Sequence, residues 1–547
     1  MWMTTLPALL LPLGIWLILL SATPKPDESR ATAAGLLTWI ISSLAFAATG
    51  FAFITGRGLA VPIAGQAWEV VGSSGFLMDG VTPPSLKSFI PLLALAQAAA
   101  LLVNAAVMRR THFIVQGILS AVTGGILFAL TNKWLLANGW LAMLGRNLNL
   151  GHGAIDLGGL STVGLVAGSM GLAWAWMKPR RTAQQLAQLP LAHFPFRAVS
   201  GTVCLLIGSV ALFSNTALPS NLIEQAALGY LINLGVAGAV AGLGGLAYSR
   251  VTSQRADVLC AARAIVAAVI MVSSGAGLLP VWVAASLGLG AGLLSTIGLY
   301  FVSERLLLED DGALITTALL PGIIGFVAAG LFANGSMGAG FNGVGAESYL
   351  ARAQLGIVGL LPAANHAGDP GQFTAQIVAI GAIGLTAWIG GLVVAYGFKT
   401  TMLSAQKIVR TASVLPVAQP VAAALVTQII EVQPAPVMPV VTAVSPQPIA
   451  PTQPIALLQE LKPTFLPQPN ISQPVPQAPP EPQRVLVVAA PDVLNTTSKD
   501  GLLDRFRRIR RANLPEIPAR ARKVAYPTRV NGKRLVRPLV DEPTQKS

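Results

Sequence analysis

The chain has 547 residues, 53% of them hydrophobic and only 11% charged, against roughly 25% charged in ordinary soluble domains. Apolar runs of about 18 or more residues, long enough to cross a bilayer core, recur through the first two thirds of the chain. This excludes a soluble enzyme, and it excludes an outer-membrane barrel with ~10-residue alternating segments. The formal net charge of +14 is concentrated near the C-terminus.

In chain order, eleven membrane-spanning helices are predicted, over 5–21, 35–56, 89–108, 114–135, 156–177, 197–217, 222–248, 260–278, 281–303, 312–333 and 374–397. The first, LPALLLPLGIWLILLSA, ends in small residues as a secretory signal does. It lacks the basic leading region of such signals, so it is read as a helix. Small residues at three- and four-residue spacing, as in LGVAGAVAGLGG (234–245), permit close helix contact in lipid. Lys25 and Arg30, Arg109 and Arg110, Lys178 with Arg180 and Arg181, Arg250 and Arg255, and Lys399 fall in alternate connections. The positive-inside rule then puts the N-terminus outside, the C-terminus in the cytoplasm, and the protein in the cell membrane as a multi-pass chain.

Beyond the last span, residues 416–482 hold 17 of the 39 prolines, a density that blocks helices and sheet ladders and favours an extended linker. Residues 498–547 carry 14 Lys/Arg against 5 Asp/Glu. The expected division is therefore a transmembrane domain over 1–400, a Pro/Val/Gln-rich linker over 401–497 and a basic cytoplasmic tail over 498–547. Within the tail, LLDRFRRIRRANL (502–514) clusters Arg505, Arg507, Arg508, Arg510 and Arg511. It is read as a solvated disordered tail, as a contact with anionic lipid, or as a contact with an acidic cytoplasmic protein. Nucleic acid is the least favoured partner, because no recognition module accompanies the charge.

No catalytic chemistry stands out. Cys204 and Cys260 fall in or beside spans and are read as packing residues, not as a disulfide. His112, His152, His193 and His366 are scattered over loops, where they are read as surface histidines without metal-ligand spacing. No phosphate-binding glycine loop, nucleophile elbow or triad pattern is present. Neither enzymatic activity nor any metal or cofactor is expected.

The sequence carries an internal echo. Asp156 opens the fifth span and Asp311 the tenth; Ser161 and Thr162 follow the first at five and six residues, and Thr316 and Thr317 follow the second. Two five-helix halves cross a membrane with opposite polarity, which is the arithmetic of an inverted repeat. Both carboxylates are read as helix caps, Asp156 also bracing the mouth of a pathway.

Several stretches resemble the ammonium transporter (Amt/Rh) family in order and spacing over about residues 5–400. GAIDLGGLSTVGLVAGSMGL (153–172) resembles the family's fifth helix, and SGFLMDG (74–80) its second extracellular loop. ALLVNAAVMRRTHF (100–113) is similar to its third helix and following turn, with Arg109 where an acid is usual. GTVCLLIGSVALFSNTAL (201–218) lies over the sixth helix, DDGALITTALLPGIIGFVAAGLFANG (310–335) resembles the tenth, and GDPGQFTAQIVAIGAIGLTAWIGG (368–391) the start of the eleventh. The resemblance implies an all-α polytopic membrane protein, a 5+5 inverted repeat plus one helix, assembled as a homotrimer in membrane lipid with one narrow pore per protomer. It also implies an aromatic outer vestibule, a phenylalanine gate and two mid-membrane histidines that handle ammonium's proton.

Those histidines are missing. The first would fall eight residues after Asp156, about 12 Å along a helix at 1.5 Å per residue, where Gly164 stands; the second falls on Leu319. The gate positions fall on Leu212 and Leu95, the vestibule serine on Thr216, and the vestibule tryptophan on Trp134, for which an ordinary interfacial tryptophan is the alternative. A bare ammonium ion is costly in hydrocarbon unless it is paired, solvated or deprotonated. The expected function is therefore a divergent member passing at most ammonia or another small neutral solute. The alternative is a non-conducting sensor, anchor or assembly subunit working through its tail.

Overall fold

A computed structural model describes residues 5–107, 111–136, 138–177, 192–212, 220–308, 310, 312–344, 356–362 and 367–414. Thr216, Asp311, His366, most of the expected linker and all of the basic tail lie outside the described residues. The described helices belong to one compact unit, Met1–Val432.

The apolar helices are α1 (Leu6–Ser21), α2 (Lys25–Thr55), α3 (Phe89–Ala105), α4 (Phe113–Leu135), α5 (Leu160–Met177), α6 (Pro195–Leu212), α7 (Ser220–Ser253), α8 (Val258–Ser273), α9 (Val281–Glu304), α10 (Ile315–Phe332) and α11 (Pro370–Val414). Eight of them contain a segment long and apolar enough to cross a membrane; α1, α3 and α8 are apolar but shorter. The last helix continues past residue 400, where the linker was expected to begin.

Which way each helix faces follows from its apolar pattern. In α9, Leu289, Leu293, Ile297 and Phe301 are exposed at four-residue spacing, and in α11 Leu385, Ile389 and Val393 repeat the pattern. A single apolar stripe turned outward is the signature of a helix facing lipid. A helix apolar all round and buried all round belongs at the centre of a bundle, and α5 is that helix, nearly every residue from Leu160 to Ala175 being enclosed.

Among the described residues, four π-turns interrupt the helices, at Phe46–Gly50 in α2, Thr123–Leu127 in α4, Leu294–Gly298 in α9 and Ile315–Leu319 at the start of α10. Each inserts a wider turn that shifts the register of everything beyond it. Those in α2 and α4 touch, and the Thr49 hydroxyl donates to Gly125 O across the contact at 3.0 Å.

The all-α expectation needs one correction. After α2 the chain forms an antiparallel hairpin, β1 (Gly58–Ile63) and β2 (Gln66–Gly72). Its two-residue turn, Ala64–Gly65, has both φ angles positive, at 54° and 79°, as the twist of a tight hairpin requires. Pro62 sits on β1, which pairs only with β2, so its missing N–H is tolerated. The alternation in LAVPI and QAWEVV was the available signal, and it is weak beside the apolar runs. This hairpin marks one end of the bundle. Near it Phe46, Phe51 and Phe89 form an aromatic cluster with ring centroids 5.2–6.1 Å apart.

Candidate functional site

The segment before α5 folds back so that Asp156 caps the helix. Its carboxylate accepts from Gly159 N at 3.1 Å, from Thr162 N at 2.6 Å and from the Thr162 hydroxyl at 2.8 Å. The Ser273 hydroxyl, at the end of α8, also approaches it at 3.5 Å. These bonds answer N–H groups that a helix start otherwise leaves without partners. The joint with α8 goes further. Leu160 N donates to Ser273 Oγ at 2.9 Å, and the Ser161 hydroxyl donates to Ile270 O at 2.8 Å.

Two fully buried glutamines of α11 hold the same segment from the other side. Gln372 accepts from His152 N and donates to Gly153 O; Gln376 accepts from Ile155 N and donates back to Ile155 O. Each amide thus acts as a short length of strand for backbone that has no sheet to join. His152, expected at the surface, is buried here. Its backbone oxygen accepts from Asn342 Nδ2 at 2.8 Å, and burial lowers its pKa to about 4, opposed only in part by nearby Asp369.

At the hairpin end, Trp134 is buried and donates from Nε1 to Val70 O at 2.9 Å, while its ring meets that of Trp140 edge-on at 5.6 Å. Lys133, on the last turn of α4, pairs with Glu69 of β2 at 2.8 Å. Leu95 of α3 lies over Gly159, close enough that a Cβ on that glycine would sit 2.7 Å from a Leu95 methyl. Leu212 is buried at the end of α6.

At mid-helix, α5 and α10 run backbone against backbone. A Cβ on Gly164 would lie 2.7 Å from Ala318 O and 2.7 Å from Ile270 Cγ2. One turn further along α5, Gly168 packs on the backbone of Leu319. From the other helix, a Cβ on Gly322 would come within 2.8 Å of Ser161 O and Leu165 N. Gly164 therefore faces Ala318, and Leu319 faces Gly168. Ala318 and Leu319 both lie in the π-turn Ile315–Leu319.

The carboxylate seen capping α10 is Asp310, which accepts from Leu314 N at 2.8 Å and Ile315 N at 2.9 Å. Its neighbour Asp311, to which sequence spacing pointed, lies outside the described residues. The threonine echo is also unequal. Thr162 bonds the Asp156 carboxylate, whereas the Thr316 and Thr317 hydroxyls donate to Ala313 O.

Known proteins share this architecture. The Amt2 ammonium transporter of Archaeoglobus fulgidus is 25% identical over 313 residues, covering 55% of this chain and 64% of its own length. The Amt1 ammonium transporter of Methanocaldococcus jannaschii is 27% identical over 248 residues, covering 44% and 60%. The chain thus spans less than two thirds of the length of either relative. Among solved structures, one titled Sensor Amt Protein superposes with a TM-score of 0.58 at 20% identity, over 73% of this chain and 92% of that one. Mep2 of Saccharomyces cerevisiae does so with a TM-score of 0.55 at 17% identity, over 72% and 83%. At these identities the likeness is one of fold. A model of the Ammonium Transporter Family matches residues 2–408, and the chain belongs to that family.

Proposed function

We propose that this protein is a divergent ammonium-transporter-like membrane protein that does not conduct the ammonium ion and passes at most ammonia or another small neutral solute. The observation that carries the reading is the contact of Gly164 with the Ala318 carbonyl. At the level where a proton acceptor is needed, neither residue has a titratable side chain and no space is left for one. An unpaired charge there would cost several kcal/mol, and each 1.4 kcal/mol is about a tenfold loss of occupancy. The proposed assembly is a homotrimer of eleven-span protomers in the cell membrane, N-terminus outside, each with a 5+5 inverted repeat plus one helix. The π-turns in α4 and α9, corresponding helices of the two halves, support that repeat. The mouth of each protomer would lie at the hairpin end, beside Trp134, Leu95 and Leu212, with Thr216 the expected vestibule hydroxyl by resemblance. A flux assay in proteoliposomes comparing ammonia, methylammonium and water tests the reading. Ammonia flux without current is expected; a saturable ammonium current would overturn it.

The tightness of the same contact favours a second reading, a non-conducting subunit that binds a partner through its basic tail. The solved structure titled as a sensor shares the fold. In that case no solute moves faster than through protein-free liposomes, and deleting residues 498–547 abolishes a salt-sensitive attachment to anionic lipid or an acidic protein.

A further inference from the structure

Away from the α5–α10 contact, α1, α2 and α3 leave a cleft of about 240 Å³ between them. Leu9, Pro12, Leu13 and Trp16 of α1, Trp39 of α2 and Leu101 of α3 line it, almost entirely with carbon. One glycine helps to shape it. A Cβ at Gly35 of α2 would collide with Trp16 Nε1, so a residue with no side chain is needed for that ring to lie against α2. The indole nitrogen is enclosed there, which leaves only carbon of the ring for the cleft. Leu101, 1% exposed, forms the inner wall, while Leu13 and Trp39, each 38% exposed, form the rim through which the cleft opens.

Both rim residues lie midway along their helices, Leu13 in Leu6–Ser21 and Trp39 in Lys25–Thr55. The opening is therefore at the depth of the hydrocarbon core, where there is no bulk water. An apolar cavity of about 150 Å³ already stays dry and takes up benzene, and an empty one forfeits the dispersion contacts of its lining. Hydrocarbon is the chemistry that fits. It could come from lipid or from a second copy of the chain, and the residues around the opening favour lipid. On α2 the cleft is flanked by Leu36, Ile40 and Leu44, exposed at four-residue spacing, the same stripe that turns α9 and α11 toward lipid. Helices that meet in a membrane use small residues at the contact, and neither this stripe nor the rim has one.

We infer that this cleft binds an acyl chain of a membrane phospholipid, seated against Trp16 and Trp39 with its end toward Leu101. A chain lying on the stripe of α9 touches protein on one side. A chain in the cleft touches three helices, so it exchanges with the bilayer more slowly. The site is independent of whether the α5–α10 contact passes anything.

The test uses the full chain in nanodiscs of phosphatidylcholine, part of which carries a diazirine midway along one acyl chain. Illumination before and after transfer to detergent, followed by peptide mapping, compares the cleft with Leu289 and Leu293 on the exposed stripe of α9. Adducts at both places are expected in the nanodisc. After transfer, those on α9 should fall several-fold while those at Leu13, Trp16 and Trp39 persist. Leu13→Trp, a change at the part-exposed rim, should fill the cleft and abolish the retained adducts, with α9 labelling in the nanodisc unchanged. Cleft and α9 adducts that fall together on transfer would overturn the inference, since the cleft would then hold only exchanging lipid. So would a cleft that takes no adduct in the nanodisc, the result if a second copy of the chain covers it, and so would retained adducts undiminished in a folded Leu13→Trp protein. If that variant does not fold, the two comparisons on the unmodified protein decide the question alone.

Discussion

Gly164 and Ala318 meet so closely that the hydrogen on the glycine Cα is the largest substituent the site can hold, with the carbonyl of Ala318 directly opposite. The contact joins the two helices on which the family resemblance puts the mid-membrane histidine positions.

Adding a methyl group at that point is therefore a direct probe. Gly164→Ala should destabilise the protein by about 1–3 kcal/mol through overpacking, and Gly164→His should prevent folding instead of restoring ammonium binding. Thermal unfolding in detergent measures the first effect. A Gly164→Ala protein that melts with the unmodified one would mean that the helices part easily here.

Asp156 should act on folding more than on selectivity. Asp156→Ala leaves the Gly159 and Thr162 N–H groups without their acceptor, and hydrogen bonds to a charged group contribute about 1.5–3 kcal/mol each. Asp156→Asn keeps one carbonyl acceptor and should fall between the two. Monodisperse yield by size-exclusion chromatography should rank unmodified, Asn and Ala in that order, with the ratio of solute fluxes unchanged in whatever protein folds.

His152 makes stability depend on pH in a stated direction. Its pKa is lowered from 6.5 to about 4 by burial, so the unfolded chain takes up the proton first as the pH falls. Its contribution is complete above about pH 6.5, declines through the window down to about pH 4, and is then constant, the total reaching about 3 kcal/mol. His152→Asn should flatten that part of the melting curve against pH. If the difference between the two proteins is the same at pH 7 and pH 4.5, the histidine is not buried in its neutral form.

Glu69 and Lys133 hold the hairpin to the end of α4, with the lysine side chain almost enclosed. Either Glu69→Gln or Lys133→Met should speed protease cleavage at the Ala64–Gly65 turn. A double-mutant cycle should give a coupling on the order of 1 kcal/mol, at the upper end for exposed pairs because the lysine is screened from water. Cleavage rates that do not respond to either change would show that the Trp134 bond to Val70 O and the bond from Trp140 N to Glu69 O, at 3.0 Å, suffice to hold the hairpin.

Composition and apolar run length are local properties, and they were enough to determine that this is a polytopic helical membrane protein and roughly where its helices lie. The lack of any histidine within a predicted span is equally a fact of the sequence, as is the cluster of arginines in the tail. Register across helices is not local, and only the tertiary structure decided it. Ala318, within the π-turn at Ile315–Leu319, lies opposite Gly164, and Asp310 caps α10, while Asp311, to which spacing pointed, lies outside the described residues. His152 and Gln372 illustrate the same limit. A polar residue in a loop and another near a helix start carry no mark of burial until α11 folds against the segment before α5 and each satisfies the other's hydrogen bonds. The hairpin was missed because its strands are short and only half covered, so their alternation contributes little beside the 18-residue signals on either side. Helix position follows from the free energy of moving each segment into lipid, a sum over neighbouring residues. Helix contact depends on which individual side chains are small enough to let two backbones touch, and that is settled only when both helices are present.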